Sequence, residues 1–280
     1  MSQPEPDRRT TAFAASSVPE SYERHLVPAV FGPWAEVLID AAGVRRGHEV
    51  LDVASGTGVV ARLAAARAGT AGRVVASDVS GAMLAHAATV PSPAGAAPIE
   101  YLEASVTQLP LDHGSFDVVL CQQGMPFFTD RPAAAAEMLR VLRPGGTLGL
   151  SVWVAGRPLE PFGQYIAALT EAGVVPPFPG AFDGETFKMA EGEVRMVLEG
   201  AGLASVEIRT IEREVVWPDA ESAAQGILGT PFAPLLDRLP PERRDALEAD
   251  LSRRFSPAAP NEAVRRTTAA VVAIAKAPGG

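Results

Sequence analysis

The residues best suited to chemistry lie between Val50 and Ala61, where an apolar strand pattern runs into a turn of small residues and then into a helix-forming segment. Gly56 and Gly58 allow a tight turn and a close approach of a ligand to the backbone, and the N–H groups that open the next helix face that ligand. Asp52 is unusual there, because a carboxylate at the end of a buried strand is costly unless a cation or a hydrogen-bond donor meets it. The segment therefore predicts a nucleotide-type cofactor, and Asp52 favours one that carries an amine rather than a pyrophosphate.

Two cofactors fit these residues. The amine indicates S-adenosylmethionine, whereas Gly56-x-Gly58-x-x-Ala61 also matches the dinucleotide-binding fingerprint, with the acidic Asp78 about 20 residues further on. Both cofactors place a ribose over the second strand, where a carboxylate accepts hydrogen bonds from the ribose hydroxyls. A glycine turn that only joins strand to helix is a third interpretation. Later segments of the chain have to decide between them.

Composition narrows the class of protein. With 280 residues and 47% hydrophobic content, the chain can bury the core of one elaborated domain. Its net charge of -9 argues against a nucleic-acid surface, which needs cationic groups to neutralise phosphates, and favours a small-molecule substrate. Cys121 is the only cysteine, so an intramolecular disulfide is excluded and we expect no metal site.

The first 20 residues are polar and contain no apolar run of signal-peptide length, so we expect a disordered arm over residues 1–20. No stretch approaches the about 20 consecutive apolar residues that a membrane span requires. These features predict a cytoplasmic protein without a membrane span, acting as a monomer or a homodimer.

Strand and helix patterns alternate along the chain. Amphipathic helices are predicted over 21–42, before the first strand, and further helices at 58–68, 81–90 and 132–142. The strand patterns fall at 49–53, 73–77, 99–102, 116–121, 147–153, 205–217 and 267–275. We therefore predict an α/β fold with a doubly wound, mostly parallel, seven-stranded sheet, Rossmann-like, with N-terminal helices and a helical cap.

One domain is predicted over 21–280. Its cofactor-binding core covers about 45–153, the substrate-side elements and the cap about 154–266, and the last strand about 267–276. Ligands of such sheets bind beyond the carboxyl ends of the strands, where Asp52, Asp78, Ser105 and Gln122 fall.

Five sequence blocks in a fixed order carry a family resemblance. They are Leu51 to Gly58, Ser77 to Val79, Leu109-Pro110, Ser115 to Val119 and Leu139 to Gly146. Together they resemble a class I S-adenosylmethionine-dependent methyltransferase, in the branch of the ubiquinone and menaquinone biosynthesis enzymes. A dinucleotide enzyme has no reason to show the later blocks at these intervals, so the resemblance favours S-adenosylmethionine as the cofactor.

The resemblance assigns roles to residues at the cofactor. Asp52 would hold the amino group of the methionine part, and Asp78 the ribose hydroxyls. The remaining cofactor positions are Tyr22 over the carboxylate, Ala54, Ser55, Gly56 and Gly58 in the turn, Val79 and Met83 around the adenine, Ser105 and Val106 at its edge, and Gln122.

Two positions depart from the pattern of the family. Ser105 stands where relatives usually have an acidic residue for the adenine amino group, and its hydroxyl can still accept a hydrogen bond. Ala54 replaces the usual first glycine, which is compatible with the turn provided that its backbone angles stay in the allowed region.

The acceptor side is predicted from aromatic residues. Gln123, Phe127 and Trp153 are candidate substrate contacts, with Phe128 and Phe162 in the same wall, which favours a small apolar or aromatic acceptor. Methyl transfer needs a base only when the acceptor must lose a proton, and no catalytic residue stands out. His25 is the weak candidate, since a solvent-facing or helix-capping role explains it better.

Three functions remain open from the sequence. The resemblance implies transfer of a methyl group to a small metabolite, with O-, N- and C-methylation unresolved. The alternatives are a dinucleotide-dependent oxidoreductase and a protein that binds S-adenosylmethionine without transferring its methyl group.

Overall fold

The computed structural model describes residues 18–177, 180–257 and 262–279. Most of the predicted arm over residues 1–20 therefore lies outside the described residues. Its last residues do not belong to an arm, because α1 begins at Val18, a residue that is fully buried.

The described helices and strands alternate in the order that the sequence patterns predict. The strands are β1 Glu49–Val53, β2 Arg73–Asp78, β3 Ile99–Glu103, β4 Phe116–Gln122, β5 Leu142–Val154, β6 Lys188–Met189, β7 Ala204–Trp217 and β8 Val264–Lys276. The α-helices are α1 Val18–Ser21, α2 Gly32–Ala42, α3 Val59–Ala68, α4 Gly81–Ala87, α5 Arg131–Val141, α6 Phe162–Glu171, α7 Glu191–Gly200, α8 Ala220–Gln225, α9 Ala233–Leu236 and α10 Pro241–Arg254.

The strands form one sheet in the order β3-β2-β1-β4-β5-β8-β7. Neighbours from β3 to β5 are parallel, whereas β8 runs antiparallel to both β5 and β7. The prediction of a doubly wound, mostly parallel sheet is confirmed. The predicted seven strands are one fewer than the described part of the chain contains, because Lys188–Met189 forms an additional strand beside the end of β5. Two residues are too few to show the alternation of apolar and polar residues that identifies a strand in a sequence.

Both faces of the sheet are covered by helices, as the apolar runs of the parallel strands require. Successive residues of β1 point to opposite faces, so Val50 packs on the side of α2 and α3, while Leu51 packs on the side of α5 and α7. The same alternation in β4 separates Leu120 from Cys121. Each face therefore has its own core, and the polar ends of the strands are left at one edge.

The segment Arg143-Pro144-Gly145-Gly146 belongs to β5, which begins five residues earlier than the pattern predicts. Leu142 pairs with Phe116, and the register then shifts before Val118 pairs with Thr147. Arg143 holds the irregular segment, with Nη1 2.8 Å from Asp117 Oδ1 and Nη2 3.3 Å from Glu49 Oε1. The sequence pattern did not predict this extension of β5, because proline and glycine after a helix usually indicate its end.

A π-helix, Tyr22–Phe31, joins α1 to α2 and lies over the edge of the sheet where the strands end. Pro28 lies inside it and supplies no N–H, which removes one regular helical bond. The amphipathic pattern of the sequence predicted helix here, but not the wider π geometry.

The predicted cap consists of the helices between β7 and β8, together with a 3-10 helix at Gly226–Gly229. It packs directly on the N-terminal π-helix: a Cβ placed on Gly229 would lie 2.6 Å from Tyr22 Cα. Only glycine permits this approach. The cap and the π-helix therefore form one roof beyond the carboxyl ends of the strands.

Candidate cofactor and substrate site

A cavity of about 610 Å³ lies under this roof. Its walls come from the carboxyl ends of β1 to β5 and the loops that follow them, the N-terminal π-helix, the segment after β5, and the cap. This is the position where open α/β sheets bind ligands, and the volume is within the range of small-molecule sites.

The turn after β1 has three residues with positive φ: Ala54 at 56°, Gly56 at 55° and Gly58 at 83°. Ala54 and Gly56 line the cavity, and a side chain on Gly56 would meet no atom within 4 Å. The space above Gly56 is therefore open to a ligand. Ala54 departs from the expectation of ordinary backbone angles, because it adopts the left-handed conformation that glycine accepts more readily.

Ser55 and Gly58 are not among the residues that line the cavity, contrary to their predicted place at the cofactor. The Ser55 N–H donates to Ser77 O at 3.0 Å, which joins the turn to β2. Gly58 precedes α3, and a Cβ there would lie 3.3 Å from Ala87 Cβ. Gly58 thus permits close helix packing rather than close approach of a ligand.

Asp52 is buried beneath the cavity and does not line it. Neither carboxyl oxygen has a hydrogen-bond partner among the described residues. Burial raises the pKa of Asp52 well above its ordinary value, with the nearby Asp78 carboxylate adding to the rise. A buried carboxyl without a partner fits a site that becomes complete when a cation binds close by.

Asp78 ends β2 and lines the cavity. Its Oδ2 accepts the Gly56 N–H and its Oδ1 accepts the Ser80 N–H, both at 2.8 Å. Burial nevertheless raises the pKa of Asp78. These two bonds fix the carboxylate between the turn after β1 and the start of α4, and each oxygen keeps a lone pair for another donor.

The positions predicted around the adenine all line the same end of the cavity. They are Val79, Met83, Ser105 and Val106. Val79 is 51% exposed although it is apolar, whereas Met83 is buried. Both side chains offer apolar surface to a flat ring. The Ser105 hydroxyl lies 2.9 Å from Thr107 Oγ1, so it is held at the rim.

The two glutamines at the end of β4 line the cavity, and their side-chain amides are hydrogen-bonded in opposite orientations. Gln122 Nε2 donates to Phe31 O at 3.0 Å, and Gln122 Oε1 is buried without a partner among the described residues. Gln123 Oε1 accepts the Trp153 N–H at 2.8 Å, and here Nε2 is the atom without a described partner.

Aromatic side chains form one wall of the cavity. Tyr22 stacks on Phe31 with 4.7 Å between ring centroids, and Phe31 lies 6.2 Å from Trp153 and from Phe162. These separations are typical of packed aromatic pairs. Phe127 and Phe128, which the sequence also placed in this wall, line the cavity too.

Tyr22 is the only titratable side chain besides Asp78 among the described residues that line the cavity. Burial raises the pKa of Tyr22 well above its ordinary value, and the carboxylates of Glu23, Asp78 and Asp52 raise it further. The phenol therefore stays protonated near neutral pH and can donate a hydrogen bond rather than act as a base.

The remaining candidates for acid–base or nucleophilic chemistry lie away from the cavity walls. His25 is partly buried and does not line the cavity, so the weak prediction of a base is not supported by its position; burial lowers its pKa, and Arg24 lowers it further. Burial raises the pKa of the Cys121 thiol to about 12. No group of three or more possible metal ligands occurs within the described ranges.

Several wall residues were not predicted from the sequence. They are Leu26 and Phe31 in the π-helix, Leu159 and Phe187 after β5, and Gly229 to Phe232 in the cap. No local motif marks them, because they reach the cavity through contacts between distant segments. The long loose region after Trp153 was the only signal that a cap exists.

Comparison with known proteins identifies the class. A family model described as a methyltransferase domain matches residues 50–146. The ubiquinone/menaquinone biosynthesis C-methyltransferase UbiE of Enterobacter sp. (strain 638) is 32% identical over 195 residues, which are 65% of this chain and 77% of that protein. Nocamycin O-methyltransferase of Saccharothrix syringae is 30% identical over 234 residues, 80% of this chain and 83% of that protein.

A second UbiE sequence and a solved structure add to this comparison. The UbiE of Idiomarina loihiensis is 40% identical over 114 residues, and the chain spans 45% of that relative's length. Among solved structures, the phosphoethanolamine N-methyltransferase 2 of Haemonchus contortus, in complex with phosphomonomethylethanolamine and S-adenosylhomocysteine, superposes with a TM-score of 0.62 at 15% identity, covering 97% of this chain and 59% of that one. That likeness concerns the fold alone.

The chain belongs to the S-adenosylmethionine-dependent methyltransferases, and its cofactor is S-adenosylmethionine. Within that family it falls in the branch that contains UbiE. The dinucleotide alternative is not favoured. No helix in the described part of the chain has the length and apolar character to cross a membrane.

Proposed function

We propose that this enzyme transfers the methyl group of S-adenosylmethionine to a small, uncharged aromatic acceptor. One observation carries the choice of acceptor: around Trp153 the described walls of the cavity are mainly aromatic and apolar, with glutamine amides as neutral polar groups and Tyr22 as the only titratable group. An anionic acceptor would leave its charge unpaired against the negative faces of these rings, which costs several kcal/mol, on the order of the penalty for burying a lone ion.

The cofactor is proposed to run along the strand ends from β3 to β4. Asp78 accepts the ribose hydroxyls, and the adenine lies between Val79 and Met83, with Ser105 and Val106 at its edge. The methionine part lies over Ala54 and Gly56. The buried Asp52 carboxyl and the unpartnered Gln122 Oε1 supply the negative surroundings for the ammonium group, and Tyr22 donates to the carboxylate.

When bound, S-adenosylmethionine supplies an electrophilic methyl carbon. Transfer would be an in-line displacement by an electron pair of the acceptor, and the proton that the acceptor gives up would have to reach solvent outside the cavity. The protein aligns the two partners and excludes water through the roof formed by the π-helix and the cap, which is the contribution that proximity makes to such displacements. No described wall residue is placed as a general base, so the acceptor has to be nucleophilic by itself near neutral pH.

The relatives leave the methylated atom open. UbiE is named as a C-methyltransferase and the nocamycin enzyme as an O-methyltransferase, and this chain resembles both at similar identity. Both reactions need the same alignment of acceptor and methyl group, so we propose a class of acceptor and do not assign the atom that is methylated.

Two measurements test the proposal. Isothermal titration with S-adenosylhomocysteine and with NAD in parallel should show binding of the former alone. Release of S-adenosylhomocysteine from S-adenosylmethionine should then occur with uncharged phenols or quinols and not with phosphomonomethylethanolamine, the charged compound in the Haemonchus complex. Turnover of the charged compound with none of the aromatic ones would overturn the proposed acceptor. Binding without any turnover across a broad panel would favour a non-catalytic binder.

A further inference from the structure

Gln123 occupies a position in which its amide has one fixed end and one unused end. It directly follows β4, where its backbone adopts a positive φ of 58°. Its backbone N–H donates to Ser151 O at 2.8 Å, and its side-chain Oε1 accepts the Trp153 N–H at the same distance. The side chain thus extends the ladder between β4 and β5 beyond the end of the strand, and it cannot rotate without breaking that bond.

The orientation of the amide follows from the chemistry of its partner. A backbone N–H can only donate, so the atom of Gln123 that faces Trp153 has to be the oxygen, and the NH₂ group lies on the other side. Gln122 provides the contrast: it faces the Phe31 carbonyl, which can only accept, so its nitrogen is used and its oxygen is left. Neighbouring glutamines therefore present opposite unused groups.

The unused NH₂ group is expensive to keep. Gln123 is 7% exposed, and its Nε2 has no hydrogen-bond partner among the described residues. A buried donor without a partner costs about 1 to 3 kcal/mol. Hydrogen bonding to a ligand in the cavity that Gln123 lines would remove this cost.

The position of Gln123 distinguishes the acceptor from the cofactor. Asp78 and the adenine positions lie on β2 and beyond it toward β3, whereas Gln123 is bonded to β5 on the opposite side of β4. Its immediate neighbour Trp153 belongs to the aromatic wall, 6.2 Å from Phe31 and 6.4 Å from Phe162. A donor at this point lies beside the rings that would pack an aromatic acceptor.

We propose that Gln123 is a specificity-determining residue that donates an amide hydrogen bond to an oxygen of the methyl acceptor. The inference rests on the proposed function and adds one feature to it: the aromatic acceptor carries a carbonyl, phenol or enol oxygen. The bond orients the ring against Trp153 and holds that oxygen while the methyl group is transferred.

A matched pair of probes tests the donor directly. 1-Naphthol and 1-methylnaphthalene have similar size and differ in one oxygen, and titration of each into the protein saturated with S-adenosylhomocysteine needs no turnover. The wild-type protein should prefer 1-naphthol by about tenfold, the ratio that one well-placed hydrogen bond gives. Gln123→Met should lose the preference for 1-naphthol, and its affinity for S-adenosylhomocysteine should not change.

Gln123→Glu supplies a second variant in case the methionine variant folds poorly. At about pH 5 a buried glutamic acid is protonated, keeps an O–H donor, and should retain the preference for 1-naphthol. Gln108→Met, at an exposed position outside the cavity walls, is the matched control and should behave as the wild type.

The outcomes separate the inference from the proposed function. A wild type without preference, or a Gln123→Met variant that keeps it, would overturn the inference; the latter would show that Nε2 serves only a local bond, such as one to the buried Ser151 hydroxyl. Failure to bind either probe would also overturn it, and so would a loss of S-adenosylhomocysteine affinity in Gln123→Met with the preference intact. Failure of the wild type to bind S-adenosylhomocysteine would overturn the proposed function itself.

Discussion

The Arg62 guanidinium joins the N-terminal π-helix to the turn that follows β1: Nη2 lies 2.5 Å from Glu23 Oε1, and Nη1 donates to Thr57 O at 2.5 Å. The Thr57 hydroxyl also donates to Glu23 Oε2 at 2.5 Å. The π-helix is therefore tied at one point to the turn after β1 and to the first turns of α3, which lie 34 and 39 residues further along the chain at Thr57 and Arg62. The π-helix that carries Tyr22 over the cavity is held in place by a bond to the glycine turn below it.

Glu23→Gln should loosen the π-helix and weaken cofactor binding. The ion pair is largely buried, and loss of one partner leaves the Arg62 charge uncompensated, so we expect the free energy of unfolding to fall by about 2 kcal/mol or more. Thermal unfolding and titration with S-adenosylhomocysteine would measure both effects. Glu20→Gln is the control, because the exposed Glu20–Arg24 pair contributes only about 0.3–0.5 kcal/mol. If Glu23→Gln and Glu20→Gln lowered the free energy of unfolding equally, the Glu23–Arg62 ion pair would not hold the π-helix in place.

Gly124→Ala should destabilise the protein through a contact with Ala54. A Cβ at Gly124 would lie 2.7 Å from Ala54 Cβ and 3.0 Å from Cys121 Sγ, so the turn after β1 has to move, at a cost of about 1 to 3 kcal/mol. Chemical denaturation measures this cost. In the background of Ala54→Gly one of the two clashes is gone, and the cost should fall by about 0.5 kcal/mol or more. If the changes in the free energy of unfolding caused by Gly124→Ala and Ala54→Gly were additive, the two side chains would not be in contact.

The order of strands and helices could be predicted, because apolar runs and glycine or proline breaks are local signals. The pattern placed β1 at its observed bounds. It failed where a tertiary contact decides: β5 continues through Arg143-Pro144-Gly145-Gly146 because Asp117 and Glu49 hold Arg143, and neither carboxylate is near it in sequence.

The candidate site divides in the same way. Asp78 and Gln122 end strands, and Val79 and Met83 come within five residues of the end of β2, so the position of the strand places them at the cavity. Phe31 and Phe232 reach it from the π-helix and the cap, and nothing in their own segments indicates a direction. Gly58 does not line the cavity, and the motif could not indicate this, because it specifies residue types without saying which glycine faces a ligand and which one faces Ala87.

Asp78→Ala should weaken the binding of S-adenosylhomocysteine by more than about 1.4 kcal/mol, or tenfold, because it removes charge-assisted bonds to the ribose and frees the Gly56 and Ser80 N–H groups. Asp40→Ala removes an exposed carboxylate at a distance from the cavity and controls for the change in net charge. Titration calorimetry gives both dissociation constants. An unchanged constant for Asp78→Ala would remove the residue from the proposed cofactor site.

Asp52 should make stability and cofactor binding depend on pH in opposite directions. Its pKa is raised in the folded protein, so the unfolded chain loses the proton first, and stability falls as pH rises from the ordinary aspartate pKa of about 3.9 to the raised value. Asp52→Asn removes a group that resists ionisation and should raise the melting temperature at neutral pH. The same change should weaken S-adenosylhomocysteine binding, because the neutral amide cannot compensate an ammonium group.

Measuring the protons released on cofactor binding shows whether Asp52 is ionised in the complex. If the ammonium group binds beside an ionised Asp52, a carboxyl that is protonated in the free protein gives up its proton on binding. Calorimetric titration in two buffers of different ionisation enthalpy should then show release of up to one proton with the wild type and none with Asp52→Asn. Affinity should rise with pH up to the raised pKa of Asp52 and level off above it. A wild type that releases no proton at any pH would mean that Asp52 keeps its proton, and that the Gln122 oxygen and the strand ends hold the ammonium group without it.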